Sequence, residues 1–163
     1  MKILAIIQSR SNSNRLPKKS LLPIGGIPNT LLIAKRCSSK KYDTVVATSN
    51  KKSDDLLARL LKKSKINCFR GSLNNVRNRF LECSRHLKNE DIVIRLTADN
   101  VFVDNKIIEE VLKEYKNKKI NYVYIDNKFS NLPYGISAEA FNLGFFRNKK
   151  IKSKSELEHV TIN

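Results

Sequence analysis

Residues 2–7 form an apolar run of strand length, and the chain leaves it directly into Gln8, Arg10, Ser13, Arg15 and Lys19. Donors gathered at the carboxyl end of a buried strand stand where open α/β sheets bind phosphorylated ligands. Arg15 and Lys19 flank Pro17 and supply the two kinds of cation a polyphosphate needs. Arginine offers a planar fork for bidentate contact, and lysine a movable point charge. Backbone N–H groups of residues 11–14 could add an anion-binding concavity. Pro17, Pro23, Pro28 and the Gly25-Gly26 pair stiffen the loop in places and turn it sharply in others, which a floppy linker would not need. The competing reading is a solvated basic loop. Neither the P-loop nor the dinucleotide-binding glycine spacing is present.

A second candidate lies in Arg95-Leu96-Thr97-Ala98-Asp99, where Asp99 follows another apolar run. If the two runs are neighbouring strands, Asp99 faces the same rim as the first loop. A carboxylate there suits Mg²⁺, which keeps waters and binds through one or two carboxylates plus substrate phosphates. The alternative is a residue that turns or caps the connection into the next helix. Glu139 reads either as a functional carboxylate or as an ordinary strand residue. His86 reads as a surface residue late in a basic helix. His159 follows Glu158, but no Cys or Ser with a base at suitable spacing suggests a nucleophile, and no Cys/His cluster suggests zinc.

The elements that must position these residues follow from periodicity. Strands are predicted at residues 2–7, 44–48, 67–70, 91–96 and 122–125, alternating with stretches of helical period. That alternation implies a mostly parallel sheet covered by helices. Ser53 is the expected cap of a helix whose first turn holds Asp54 and Asp55, whose last holds Lys62 and Lys63, and whose buried stripe is Leu56, Leu57, Leu60 and Leu61. Asp104 precedes a second dipole-matched helix through Ile107, Ile108, Val111, Leu112 and Tyr115. Further helices are expected near residues 75–87 and 30–37. Residues 129–146 mix Pro133, Gly135 and Gly144 with aromatics and give no clear pattern.

With 163 residues the chain is read as one domain, large enough to need no disulfide or metal staple. Cys37, Cys68 and Cys83 have no Cys-x-x-Cys spacing and fall on apolar positions, as reduced core thiols of a cytoplasmic protein. No segment is long enough to span a bilayer, and the N-terminal run is too short for a signal-peptide core. The formal charge of +17, from 32 Lys and Arg against 15 Asp and Glu, makes the field attract anions without saying which. Composition bias explains the charge equally well. Nucleic-acid binding is disfavoured, because the aromatics fall on core positions rather than alternating with Lys or Arg on one face.

Several motifs taken in order resemble the cytidylyltransferase family of the spore-coat polysaccharide biosynthesis protein F type, and more remotely the enzymes that make CMP-Kdo and CMP-sialic acid. They are Ile6-Ile7-Gln8-Ser9-Arg10 with Ser13 and Arg15-Leu16-Pro17, Leu21 to Pro28, Val45-Val46-Ala47-Thr48-Ser49, Phe69-Arg70-Gly71-Ser72, Arg95 to Asp99, and Glu158-His159-Val160-Thr161. The resemblance implies a glycosyltransferase-A-like nucleotidyltransferase fold, a three-layer α/β/α sandwich. It implies attack of an acidic sugar or similar acceptor on the α-phosphate of CTP, with release of pyrophosphate, for surface polysaccharide synthesis. Arg15 and Lys19 would hold the β- and γ-phosphates, and Mg²⁺ on Asp99 would serve the phosphates. Gln8, Arg10, Ser13, Thr48, Ser49, Gly71, Ser72 and Thr97 would line the nucleotide, Glu139 and His159 the acceptor, and subunits could pair as a homodimer. Departures from the family pattern are Asn12 and Lys18 where glycine is usual. Ser137 and Tyr134 stand where acids are usual, and Asn74, Asn75 and Asn78 occupy an otherwise acidic stretch. Relatives continue past Thr161, so the chain is expected to be a shortened relative. An impaired homologue that binds a nucleotide or partner is the alternative.

Overall fold

A computed structural model describes residues 1–12, 16–118, 120–126, 128–133, 135–151, 153 and 156. Strand β1 (Ile3–Gln8) is apolar on both faces, which suits a central strand covered on each side. It pairs in parallel with β4 (Asp43–Ser49) on one side and β6 (Ile92–Thr97) on the other. Strand β5 (Cys68–Gly71) extends the parallel set beyond β4. On the far side β8 (Glu139–Asn142) runs antiparallel to β6, and β7 (Tyr122–Tyr124) pairs with β8 at the edge. The order is therefore β5-β4-β1-β6-β8-β7.

Helices cover both faces. α1 (Asn29–Arg36), α2 (Asp55–Lys63) and α4 (Asn105–Lys118) contribute Ile33, Leu57, Leu61, Ile108 and Leu112 to one cluster with Ile7, Val46, Ile94 and Leu96. α3 (Val76–Cys83) and α5 (Leu143–Asn148) bring Phe80, Cys83 and Phe146 against Leu4, Ile6, Ala47 and Phe141. This is the expected three-layer α/β/α arrangement. No helix among the described residues is long and apolar enough to cross a membrane. All three cysteines are unbridged, and burial pushes the Cys37 and Cys83 thiols up to about 12, so neither is a thiolate at neutral pH.

Four expectations need correction. Leu56, expected in the buried stripe of α2, is 52% exposed, because the face turned to the sheet is formed by Leu57, Leu60 and Leu61. β8 was not among the predicted strands, although one reading of Glu139 put it on a strand: Ala140 and Phe141 enter opposite clusters, so the segment is buried on both faces and lacks the polar alternation that marks a half-exposed strand. Ser53 does not cap α2; it is exposed in a 3₁₀ turn (Lys52–Asp54), and Asp54 occupies the N-cap position. α3 ends at Cys83 rather than near Leu87, where the Ser84 hydroxyl donates back to the Phe80 carbonyl at 2.8 Å, a bond that competes with helix continuation. The Asp104 cap is as expected, with Oδ1 accepting from the N–H groups of Lys106 and Ile107 at 3.1 Å.

Gly25 and Gly26, with φ of 56° and 79°, form the two-residue turn of a small hairpin between β2 (Pro23–Ile24) and β3 (Ile27–Pro28). The same loop holds Lys18 at φ 57° and ψ 21°, just before a 3₁₀ turn (Lys19–Leu21). This left-handed conformation costs a Cβ-bearing residue about 1–2 kcal/mol, more than the entropy cost of glycine. Lys18 is exposed, so little packing opposes its removal. Lys18→Gly is expected to stabilise the chain by about 0.5–1 kcal/mol, raising the thermal midpoint by about 1–4 °C. A lower midpoint in calorimetry would show that the lysine side chain contributes more than the strain it causes.

Candidate functional site

β1 ends between two parallel neighbours, with Gln8 in register with Ala47 and Thr97. The chain crosses to β4 and β5 on one side and returns to β6 on the other, so this end of β1 is a switch point where a crevice opens above the sheet. The loop that leaves it alternates. Ser9 and Ser11 are buried, whereas Arg10 and Asn12 are exposed. The Ser9 hydroxyl meets that of Thr30 at 2.8 Å, and the Ser11 hydroxyl meets that of Ser20 at 3.0 Å. The Lys18 N–H donates to the Ser11 carbonyl at 2.9 Å, closing the loop on itself. Ser13 and Arg15 lie outside the described residues.

Closure of this loop brings Lys19 to Asp99, with Nζ 3.0 Å from Oδ2 across 80 residues of sequence. The side chains are 38% and 53% exposed, so the pair marks proximity more than stability. Burial opposes ionisation of Asp99, but hydrogen bonding from the Thr97 side chain and the Lys19 ammonium outweighs it and holds the carboxyl below its ordinary range. Asp99 is thus an ionised, accessible carboxylate beside a cation. No group of three or more His, Cys, Asp or Glu side chains able to hold a metal occurs among the described residues. One carboxylate fits a cation that draws its other ligands from water and phosphate, as Mg²⁺ does.

On the β4–β5 side the hydroxyls face inward. Thr48 and Ser49 are fully buried, and both the N–H and hydroxyl of Ser49 donate to Asp54 Oδ2. Arg70 ties this region together, donating from Nε to the Ser49 carbonyl at 3.0 Å and from Nη2 to Asp55 at 2.7 Å. Gly71 accepts from the Asn50 N–H, and a Cβ there would stand 2.9 Å from Phe69 Cε1 and 3.0 Å from Arg79 Cγ, so close packing requires glycine. Gly71 and Ser72 border an open polar cleft of about 390 Å³ with Asn50, Arg70, Asn74 and Asn78. Asn75 caps α3, accepting from the Asn78 N–H at 2.8 Å, a task that needs no charge.

Two arginines and a partly buried carboxylate complete the surroundings. Arg79 is fully buried and donates from Nη1 to the Ser72 carbonyl at 2.7 Å. Burial pushes its guanidinium down to about 10, helped by the nearby charge of Arg10 and opposed by Asp54. Glu139 lies opposite Arg95, two residues inward of Thr97, and pairs with it through Nη1 and Oε1. Tyr122 donates to the other Glu139 oxygen at 3.2 Å, and burial together with that carboxylate raises the phenol's pKa. Glu139 is therefore a braced strand carboxylate. His159 lies outside the described residues, and His86 is exposed. A groove of about 860 Å³ between α4 and residues 124–132 shares no lining residue with the Lys19–Asp99 region.

The geometry brings together Gln8, Lys19, Thr97 and Asp99 at one strand-end crevice, with Gly71 and Ser72 on the adjoining cleft. Asp54 is a residue that sequence reasoning missed as part of the site, because an aspartate in the first turn of a helix reads as a charge matched to the helix dipole.

Known proteins similar to this chain in sequence or in fold point one way. A family model described as cytidylyltransferase matches residues 4–144. An uncharacterized protein of Methanocaldococcus jannaschii is 36% identical over 99% of this chain and 66% of its own length. The spore coat polysaccharide biosynthesis protein SpsF of Bacillus subtilis is 32% identical over 98% of this chain and 68% of its own. The chain thus spans about two thirds of these relatives. A cytidylyltransferase structure from Leptospira borgpetersenii superposes with a TM-score of 0.86 at 29% identity, covering 98% of this chain and 69% of that one. CMP:2-keto-3-deoxy-manno-octonic acid synthetase complexed with CTP shares the fold, with a TM-score of 0.70 at 16% identity over 91% of this chain and 77% of that one. The chain belongs to the cytidylyltransferase family.

Proposed function

We propose that this protein uses CTP to transfer a cytidylyl group to an oxygen of an acidic sugar or similar acceptor in surface polysaccharide synthesis. The observation that carries the reading is the meeting of Lys19 and Asp99 at the switch point of a sheet belonging to this family. In the reaction the acceptor oxygen bonds to the α-phosphorus, the bond from that phosphorus to the β-phosphate bridge breaks, and pyrophosphate leaves as the acceptor loses its proton. Such chemistry depends mostly on alignment and charge neutralisation.

Lys19 supports the role of β- and γ-phosphate ligand because it is half-exposed and its present partner is a carboxylate that a phosphate can replace. Arg15 is assigned to the same phosphates. Gln8 and Arg10 reach the crevice from the end of β1, and Gln8 Oε1 is buried without a hydrogen-bond partner among the described residues. Ser13, Thr48, Ser49, Gly71, Ser72 and Thr97 belong to the nucleotide side, with Thr48 and Ser49 acting from beneath. Asp99 would hold Mg²⁺, which when bound neutralises phosphate charge. Glu139, braced by Arg95 and Tyr122, and His159 are assigned to the acceptor side.

A second reading is an impaired relative that binds nucleotide without turnover. Its support is Ser137, whose carbonyl accepts from Asn100 beside Asp99 at 3.2 Å, where the family resemblance implies an acid.

Calorimetric titration with CTP, UTP, ATP and GTP, each with and without Mg²⁺ at moderate salt, tests the nucleotide half. Mg²⁺-enhanced selectivity for CTP is expected, and absence of binding by every nucleotide defeats the proposal. Release of pyrophosphate on adding acidic sugars separates the enzyme from the impaired relative. Lys19→Ala is expected to weaken CTP about 10- to 100-fold while CMP changes less than about threefold, the range for losing one charge-assisted bond. Equal losses remove Lys19 from the phosphates. Asp99→Asn is expected to abolish the Mg²⁺ enhancement with little change in thermal midpoint, since its ion pair is exposed. An unchanged metal response makes Asp99 a turn residue only.

A further inference from the structure

Asp54 stands at the N-cap of α2, yet its side chain makes no capping bond to that helix. It is fully buried and turned the other way. Oδ1 accepts from the Ser11 N–H at 2.6 Å, and Oδ2 accepts from the Ser49 N–H at 3.1 Å and from the Ser49 hydroxyl. A buried carboxylate is costly unless its lone pairs are taken, and here the donors come from the loop after β1 and from the last residue of β4. Burial works against ionisation of Asp54, but these bonds outweigh it and keep the carboxyl below its ordinary range.

The bonds continue beyond Ser11. Its carbonyl accepts from Lys18 at 2.9 Å, and its hydroxyl meets that of Ser20 at 3.0 Å, so both neighbours of Lys19 are tied to it. We propose that Asp54 is a positioning residue that locks the base of the 11–18 loop to the end of β4 and thereby seats Lys19 for the phosphates of the nucleotide. This inference rests on the function proposed above. Its chemistry requires two acceptor oxygens on one short side chain. Asparagine has one, so it could serve Ser11 or Ser49 but would turn an N–H₂ toward the other donor. The carboxylate charge also compensates the buried guanidinium of Arg79, and loss of it leaves that cation less balanced.

The experiment compares the full chain with Asp54→Asn, Lys19→Ala and the double variant, using Mg²⁺ with CTP and with CMP. Asp54→Asn is expected to lose at least about tenfold in CTP affinity and less than about threefold in CMP affinity. In the Lys19→Ala background the same change should cost CTP binding less than about twofold, because the group it positions is gone. Equal losses for CTP and CMP, or losses that multiply in the double variant, overturn the proposal and leave Asp54 a general structural group.

Hydrogen exchange without nucleotide reads the loop independently. The Ser11 and Lys18 amides should exchange at least about tenfold faster in Asp54→Asn, with Ile6 and Leu96 unchanged; equal rates overturn the proposal. If the unaltered chain binds no nucleotide, the proposed function falls, and with it the seating of Lys19 for phosphate, while the exchange result still decides whether Asp54 locks the loop. If Asp54→Asn does not fold, Ser49→Ala serves instead, keeping the charge and removing one donor. A two- to fivefold CTP-selective loss is then expected, and no change overturns the proposal.

Discussion

The parallel pairing of β1 on both sides constrains everything at the rim. Its ladder runs past the strand end, with the Ser9 N–H donating to the Ala47 carbonyl at 3.1 Å and the Ala98 N–H to the Gln8 carbonyl at 3.0 Å. The neighbours are therefore locked within a residue of one another where the loops begin, and a slip of one residue would turn Gln8 and Thr97 to the opposite face. Because the core occupies both faces, such a slip would carry Ile6 from one apolar cluster into the other, against partners shaped for Ala5 and Ile7. Packing complementarity on both faces thus sets the register, and the register sets the meeting of Lys19 with Asp99.

Scarcity of acids shapes the electrostatics. The chain has 15 Asp and Glu for 32 Lys and Arg, and its buried arginines on α3 donate to carbonyls rather than carboxylates, with Arg79 Nε and Nη2 left without a partner among the described residues. Arg77 donates to the Phe146 carbonyl at 2.5 Å and lies 4.3 Å over the Phe146 ring, while Arg79 serves the Ser72 carbonyl. Acids near the crevice hold tasks that neutral residues cannot perform: Asp54 accepts on both oxygens, Asp99 faces Lys19, and Glu139 balances Arg95. Elsewhere neutral groups suffice, as Asn75 does at the α3 cap. The excess cationic charge then raises the local concentration of anions such as nucleoside polyphosphates.

The parallel strands and the Lys19–Asp99 rim were legible because they follow from local pattern. Apolar runs mark buried strands, and a polar residue just past such a run must lie at its rim. The Gly25-Gly26 turn was legible because only glycine adopts two successive positive φ angles readily. The contact of Asp54 with Ser49 was not, since a carboxylate at a helix start has two uses and only tertiary contacts choose between them. Arg77 and Arg79 were not singled out in the sequence, yet both are buried. β8 hid as a four-residue strand flanked by Pro133, Gly135 and Gly144 with neither face open to water.

The strength of the Lys19–Asp99 pair matters as much as its location. An exposed pair of this kind contributes about 0–1 kcal/mol, because water and side-chain entropy offset most of the attraction. A buried pair in the same position would resist separation, since breaking it would strand a desolvated charge. The weak pair instead keeps both side chains near the crevice at little cost to a ligand that separates them. A polyphosphate carrying a divalent cation offers an anion to Lys19 and a cation to Asp99, exchanging one weak contact for two. The fixed groups beneath, Ser9, Ser11, Ser20 and Asp54, meanwhile keep the loop in place while the two charged ends change partners. Rigid anchors under a loosely paired rim therefore give a site that is preorganised in its backbone and exchangeable in its charges.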